Sequence, residues 1–395
     1  MSEIRVNTLG NETNTGGPVL SGITEFSGQQ YFIPPKGTTA ERPSGCPPGS
    51  IRFNTDSAHL EYWNGSVWLE FEASSVELGD HNASSGESRG GTGVRGVFTG
   101  NRNNPTFTSS SKSEYISLST LGNSVDFGTL TQIVALHGSC GSSTRGVFFG
   151  GYNHPVAGAR TARIAGFTYA STGSHEDFSS TLSTTCQSVQ GVSNQTRGLA
   201  FIGNPFPASG LINTIEYITI ASIANAQDFG DLTGAIASGL TFGSSVRGVY
   251  AGGYTSPPYI NTIQYVTIST IGNAQDFGDL TELCIGGSGG GNATRGIRMG
   301  GRPSDPAGVN TIDYVTIAST GNAQDFGDLL RGVQNGCLAN VSSPLRSIYA
   351  GGNQSSNENC IQFVTIASTG NSLDFGDLTE VKFQFSGSSN GHGGL

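Results

Sequence analysis

The sequence predicts an all-β chain in which one unit is repeated six times, and three observations carry that prediction. Arginines open six similar phrases at Arg95, Arg145, Arg197, Arg247, Arg295 and Arg346, 48 to 52 residues apart. Asp-Phe pairs keep the same beat at Asp126, Asp177, Asp228, Asp276, Asp325 and Asp374. Between these marks the apolar residues fall in short alternating runs, the spacing of strands. A period in this range marks an array or a propeller, because one such unit is too small to bury a core alone.

The fourth unit shows the elements in order. Residues 248–251 (Gly-Val-Tyr-Ala) read as a strand that ends in Gly252-Gly253, where glycine permits a sharp exit. A variable polar loop with Pro257 and Pro258 follows. Residues 261–268 alternate in the strand manner, with Ile263, Tyr265 and Thr267 on one face. A Ser-Thr-Ile-Gly-Asn turn leads to a short strand carrying Asp276 and Phe277. Residues 280–285 are expected to form the fourth strand, and the Gly/Ser-rich run after them a turn. Four antiparallel strands, six times over, predict a six-bladed β-propeller of four-stranded blades. A closing strand for the first blade is expected at the C-terminus, where Val381, Phe383 and Phe385 alternate.

Composition limits the function classes. Sixty glycines and 12% charged residues would suit a disordered chain, but 35% of the residues are apolar and grouped in strand-like runs. The net charge is −10 and the lysines are Lys36, Lys112 and Lys382, too few for a phosphate-tracking surface; no nucleic-acid partner is expected. No apolar run would serve as a signal peptide or cross a bilayer, so no membrane insertion is expected. Cys140, Cys186, Cys284 and Cys337 occupy similar places in four units, which argues against pairing and for a chain folded in a reducing cytoplasm.

The unrepeated beginning divides into residues 1–48, extended and Pro-rich, and residues 49–75, a small β-hairpin module. Asn64-Gly65 between two aromatic runs is the hairpin signal. Residues 76–94 read as a linker or partial repeat, with 95–395 as the propeller.

Three resemblances attach to these residues. The Gly-Gly pair after an apolar strand, with an aromatic about a dozen residues on, resembles the kelch repeat, although the later Trp of that repeat is missing. Gly49-Ser-Ile-Arg-Phe-Asn-Thr and Leu60-Glu-Tyr-Trp-Asn-Gly-Ser-Val-Trp68 are similar to a small module of tail-fibre and other virion proteins of tailed phages. Thr311-Ile-Asp-Tyr-Val-Thr-Ile-Ala-Ser-Thr-Gly-Asn-Ala-Gln-Asp-Phe-Gly-Asp-Leu329 resembles repeats in structural proteins of phages infecting marine cyanobacteria. The two phage resemblances together imply a non-enzymatic virion protein of the tail, baseplate or neck. Residues 1–75 would bind other virion proteins, and the propeller would face outward to meet a host glycan or protein, or serve as an architectural head. They also imply several copies per particle, with a homotrimer as one arrangement. The alternatives are a glycan-cleaving depolymerase, a head decoration protein and a cellular kelch-type adaptor.

No catalytic set, cofactor or metal site is readable. The Asp-Phe-Gly phrase lacks every companion motif of a kinase. Residues 372–379 resemble the Asp-box turn of sialidase propellers, which implies fold rather than hydrolysis; each Asp is expected to cap an Asx-type turn. Glu176, Glu216, Glu282, Glu358 and Glu380 look scattered over the repeat, and the six histidines show no ligand spacing. The repeated arginines are expected to hold a loop or pair with an Asp, the alternative being a ring that binds an anion in the central channel. Recognition is expected in the variable loops after Gly-Gly, with Phe107, Tyr152, Phe206, Tyr254 and Tyr259 as candidates for stacking on sugars.

Overall fold

The computed structural model describes residues 34–57, 59–70, 94–102, 109–152, 160–173, 175–206, 210–255, 258–303, 308–333, 341–353 and 358–395. The chain divides into two compact units, Met1–Val76 and Glu77–Leu395. Both are all-β, and among the described residues the only helical turns are two short 3-10 segments.

In the first unit, Ile51–Asn54, His59–Trp63 and Trp68–Glu70 form an antiparallel meander whose second turn is the expected Asn64-Gly65 hairpin. Lys36–Gly37 adds a parallel strand beside Phe53 and Asn54, so this module starts well before Gly49. The covered face is polar: buried Glu61 accepts from Arg42 at 2.6 Å and from Asn54 at 3.2 Å. Ile51, Leu60, Val67 and Leu69 stay exposed.

Among the described residues the second unit holds six antiparallel sheets. The first pairs Ser386–Ser389, Arg95–Arg102, Ser109–Ser117 and Val125–Thr129 in that order. The second runs Gly138–Gly141, Arg145–Phe149, Thr161–Thr168 and Glu176–Gln187, and then takes Asn204–Phe206 as a fifth strand. The third runs Gln190–Ser193, Arg197–Phe201, Thr214–Thr219 and Gln227–Asp231. The fourth runs Leu240–Gly243, Arg247–Tyr254, Tyr259–Thr267 and Gln275–Asp279. The fifth runs Ser288–Gly291, Arg295–Met299, Val309–Thr316 and Gln324–Val333. The sixth pairs Arg346–Ala350, Cys360–Thr365 and Leu373–Asp377, with Ser342 bridged to Ser347 on its inner side.

Five of the six sheets begin with a short strand, mostly of Gly and Ser, and here the structure departs from the expected pattern. Residues 280–284 form no strand, and the run expected to be a turn is the strand Ser288–Gly291, fully buried. The reason is crowding. Gly138–Gly141 lies against both Gln190–Ser193 and Ser386–Ser389, and the series continues through Leu240–Gly243 to Ser288–Gly291. A Cβ on Gly289 would collide with the Thr241 carbonyl, and one on Gly191 with the Ser139 carbonyl. Small residues are what the approach of these backbones demands at such positions, so burial there carries no apolar signal. For the same reason the closing strand of the first sheet is Ser386–Ser389, not the apolar run before it. Ser342 N–H donates to Ser389 Oγ (3.0 Å), and that hydroxyl donates back to Ser342 O (2.6 Å), joining the sixth sheet to the first.

Candidate functional site: sheet joints and a loop-end cleft

The constant residues of the repeat build the joints between sheets. Each opening arginine lies over an aromatic ring of its own sheet: Tyr115, Phe178, Tyr217, Tyr265, Tyr314 and Phe363, at 4.5 to 5.5 Å. Its Nη1 donates to a backbone carbonyl of the next sheet. Arg95 reaches Tyr169, Arg145 Ile220, Arg197 Ile268, Arg247 Ile317, Arg295 Ile366, and Arg346 returns to Leu118, all at 2.7 to 3.0 Å. The partner is therefore a backbone carbonyl rather than an Asp. A rigid planar cation that stacks and donates at once suits this place, and lysine would not.

Asp126, Asp228, Asp276, Asp325 and Asp374 stand exposed on strands rather than capping turns. Glycine does the bending instead. Gly278 sits at φ +147°, in a shift of strand register, and a Cβ there would press on the Gly321 carbonyl of the next sheet. The close approach lets Gly321 N–H donate to Phe277 O at 2.7 Å and Asn322 Oδ1 accept from Asp279 N–H at 3.1 Å. The same pair of bonds recurs from the sixth sheet to the first, through Gly122 N–H to Phe375 O and Asp377 N–H to Asn123. Asp177 differs because Ser179 replaces the glycine: it accepts from Ser179 N–H, supporting φ +53° there, and pairs with Arg163.

A third joint escaped the sequence reading. Glu114, Glu216, Gln264, Asp313 and Gln362 occupy one repeat position, just before the Tyr or Phe that carries the arginine. All are buried, and each accepts a backbone N–H from the preceding sheet: Thr379, Ser183, Thr233, Thr281 and Leu330 respectively. Glu216, which looks scattered in the sequence, belongs to this set; the signal is a polar residue held between a small or apolar residue and an aromatic one. Burial raises the pKa of Glu216 against the lowering effect of its bonds from Ser183. Glu114 is lowered: burial works against it, but the ammonium of fully buried Lys382 lies 3.0 Å away and prevails. Arg298 likewise lies 3.2 Å from Asp313 and 3.1 Å from Glu282. Among the described residues no group of three His, Cys, Asp or Glu is placed to hold a metal ion.

The second sheet has Ala165 at this position, and histidines stand in its joint. His175 packs among Phe127, Phe148 and Phe167 with ring centroids 4.8 to 5.8 Å away, and its Nε2 meets Ser113 Oγ at 2.8 Å. His137 meets Thr99 Oγ1 at 2.9 Å. Burial pulls their pKa values down to about 4 and about 3. His392 is also held down to about 4 by burial. Its Nε2 lies 2.8 Å from Gly141 O, which only accepts, and its Nδ1 accepts from Gly394 N–H, so the ring is the neutral Nε2–H tautomer. This tail packs into the inner strands: Gly393 lies against Gly243 and Asn292, Gly394 against Ser193. The C-terminus thus fills the space between the inner strands at the arginine end.

At the other end of the strands, the loop end, a cleft of about 370 Å³ opens between the first and second sheets. Arg102, Leu136, Tyr152, Arg160, Gln187 and Phe206 line it. Two of the expected recognition residues, Tyr152 and Phe206, meet here. Phe206 arrives on a strand rather than a loop: Asn204–Phe206 pairs with Thr185–Gln187 at the edge of the second sheet. Tyr152 is bridged to both Ala135 and Arg160. The Arg160 guanidinium lies 5.3 Å from the Phe206 ring centre and donates to Pro205 O at 3.0 Å. Arg102 donates to Gln384 Oε1 at 2.9 Å. Tyr254 and Tyr259 instead close the hairpin of the fourth sheet, packed edge to face at 5.8 Å. Phe107, Cys337, residues 1–33 and most of 76–94 lie outside the described residues.

No protein-family model matches the chain, and no curated protein matches it.

Proposed function

We propose that the six sheets are the blades of a closed, six-bladed kelch-like β-propeller, and that the chain is a non-enzymatic structural protein of a phage virion. The observation that carries this reading is the recurrence of the arginine and Asn-Gly joints from the sixth sheet to the first. The repeated residues are consumed in holding the ring, which leaves unrepeated features for contact with other molecules. One is the loop-end cleft, turned toward a host glycan or protein. The other is the N-terminal module, whose exposed Ile51, Leu60, Val67 and Leu69 form an apolar surface suited to a partner. Residues 1–75 then attach the protein to the tail, baseplate or neck after folding in the host cytoplasm.

Deleting residues 1–75 tests the attachment. The expected outcome is a folded ring absent from purified particles, and normal incorporation would contradict the reading. Incubation with host polysaccharide tests the non-enzymatic part, since any shortening of the chains would favour a depolymerase.

A further inference from the structure

We infer that the loop-end cleft binds an acidic saccharide, a sugar ring carrying a carboxylate; as a biological role this rests on the host-contact reading above. Two arginines line one cleft in a chain of net charge −10, and no carboxylate lines it among the described residues. Arg160 has no acidic partner among those residues, and its Nη1 is fixed by the Pro205 carbonyl. Gln384 orients Arg102 in the same way. Guanidinium groups held in place before a ligand arrives are the side chains best matched to a carboxylate, which they bind through paired N–H bonds.

The remaining lining suits a sugar. Tyr152 and Phe206 bring aromatic rings for the C–H face of a pyranose, and Phe206 is 41% exposed. Gln187 brings an amide able to donate to and accept from hydroxyls. The volume of about 370 Å³ falls within the range of ordinary ligand sites, about 300 to 1,000 Å³, and leaves room for one or two rings. The cleft is also no by-product of the repeat. It exists because Asn204–Phe206 crosses to the edge of the second sheet, the one five-stranded sheet among those described.

The full chain is titrated by calorimetry with oligogalacturonate, with the same oligomer methyl-esterified, and with a sulfated neutral oligosaccharide of equal length. Binding of the carboxylated oligomer is expected, weakened at least tenfold by esterification and at least tenfold by Arg160→Gln or Arg102→Gln. The variants are compared at matched melting temperature; the esterified arm needs no variant and so stands if one fails to fold. Equal affinity for the esterified oligomer, preference for the sulfated one, or no binding at millimolar concentration overturns the inference. If binding fails while an antibody against the loop end still blocks particle adsorption, the cleft assignment falls and the host-contact reading stands. If the antibody has no effect either, both fall.

Discussion

The joint between the first and second sheets and the joints onto the third to sixth sheets solve one problem in two ways. From the third sheet onward a buried Glu, Gln or Asp accepts a backbone N–H from the preceding sheet, a bond needing only an oxygen at the right place. Onto the second sheet that oxygen is missing, and Phe127, Phe148 and Phe167 pack around a neutral His175 instead. The first kind of joint tolerates a change of side chain at fixed geometry, because its donor is backbone. The second depends on shape and on histidines staying uncharged. The difference teaches that the repeat keeps an acceptor position rather than a residue, and that the divergent copy replaces that acceptor with packing around histidines and gains sensitivity to acid.

The largest break in that comparison comes from deleting residues 386–395. Ser386 and Ser388 bond Ser139 and Tyr169 across the first joint, and Ser389 bonds Ser342 across the last. The loss should exceed the ~5 kcal/mol at the lower end of domain stability, leaving no cooperative thermal transition. A truncated chain that melts as one unit with a single frayed sheet would refute it.

Next comes Lys382→Met, which strands Glu114 as a buried, unpaired carboxylate. A loss of about 3–5 kcal/mol is expected by chemical denaturation. Adding Glu114→Gln should restore most of it, because Gln264 and Gln362 already serve at that position.

Acid should act on the histidine joint. His137, His175 and His392 are neutral in the folded chain, with values of about 3, about 4 and about 4 against an ordinary 6.5. The unfolded chain therefore binds more protons below pH 6.5, and the stability present above that value declines as the pH falls toward 4. Denaturation between pH 7 and 5 should show this slope, and His175→Phe should reduce it by the share of one proton. An unchanged slope would place the acid sensitivity elsewhere.

The smallest effect is expected at Glu216. Its raised pKa means that the buried charge opposes folding near neutrality, so stability linked to this group grows as the pH falls. Glu216→Gln should stabilise the chain at pH 7 by about 1 kcal/mol or less, with the gain shrinking in acid. A loss at pH 7 would show that Ser183 requires a carboxylate.

Much of this was legible in residues alone. Alternation in 261–268 marked a strand, and the beat of arginines marked six units closed by the C-terminus. The acceptor position was missed, because it hides behind changing identity: Glu114, Gln264 and Asp313 share geometry and not chemistry. The inner strands were misread because hydrophobic patterning finds burial only where apolar side chains fill space; Gly289 and Gly191 are buried by backbone. Asn204–Phe206 resisted reading for another reason. Pro205 demotes a three-residue strand, and such a strand survives only at an edge, where it is found.

The sequence by itself determined the all-β class, the period of the repeat and the alternation of its longer strands. These follow from local periodicity, which a chain expresses wherever it is placed. The tertiary structure alone decided which groups meet: Lys382 with Glu114, Arg346 with Leu118, Arg160 with Phe206. Those partners are separated in sequence by tens to hundreds of residues, and nothing local encodes them. They meet because the sixth sheet bonds to the first, through Arg346 to Leu118 and Asp377 to Asn123, as the other sheets bond to their neighbours.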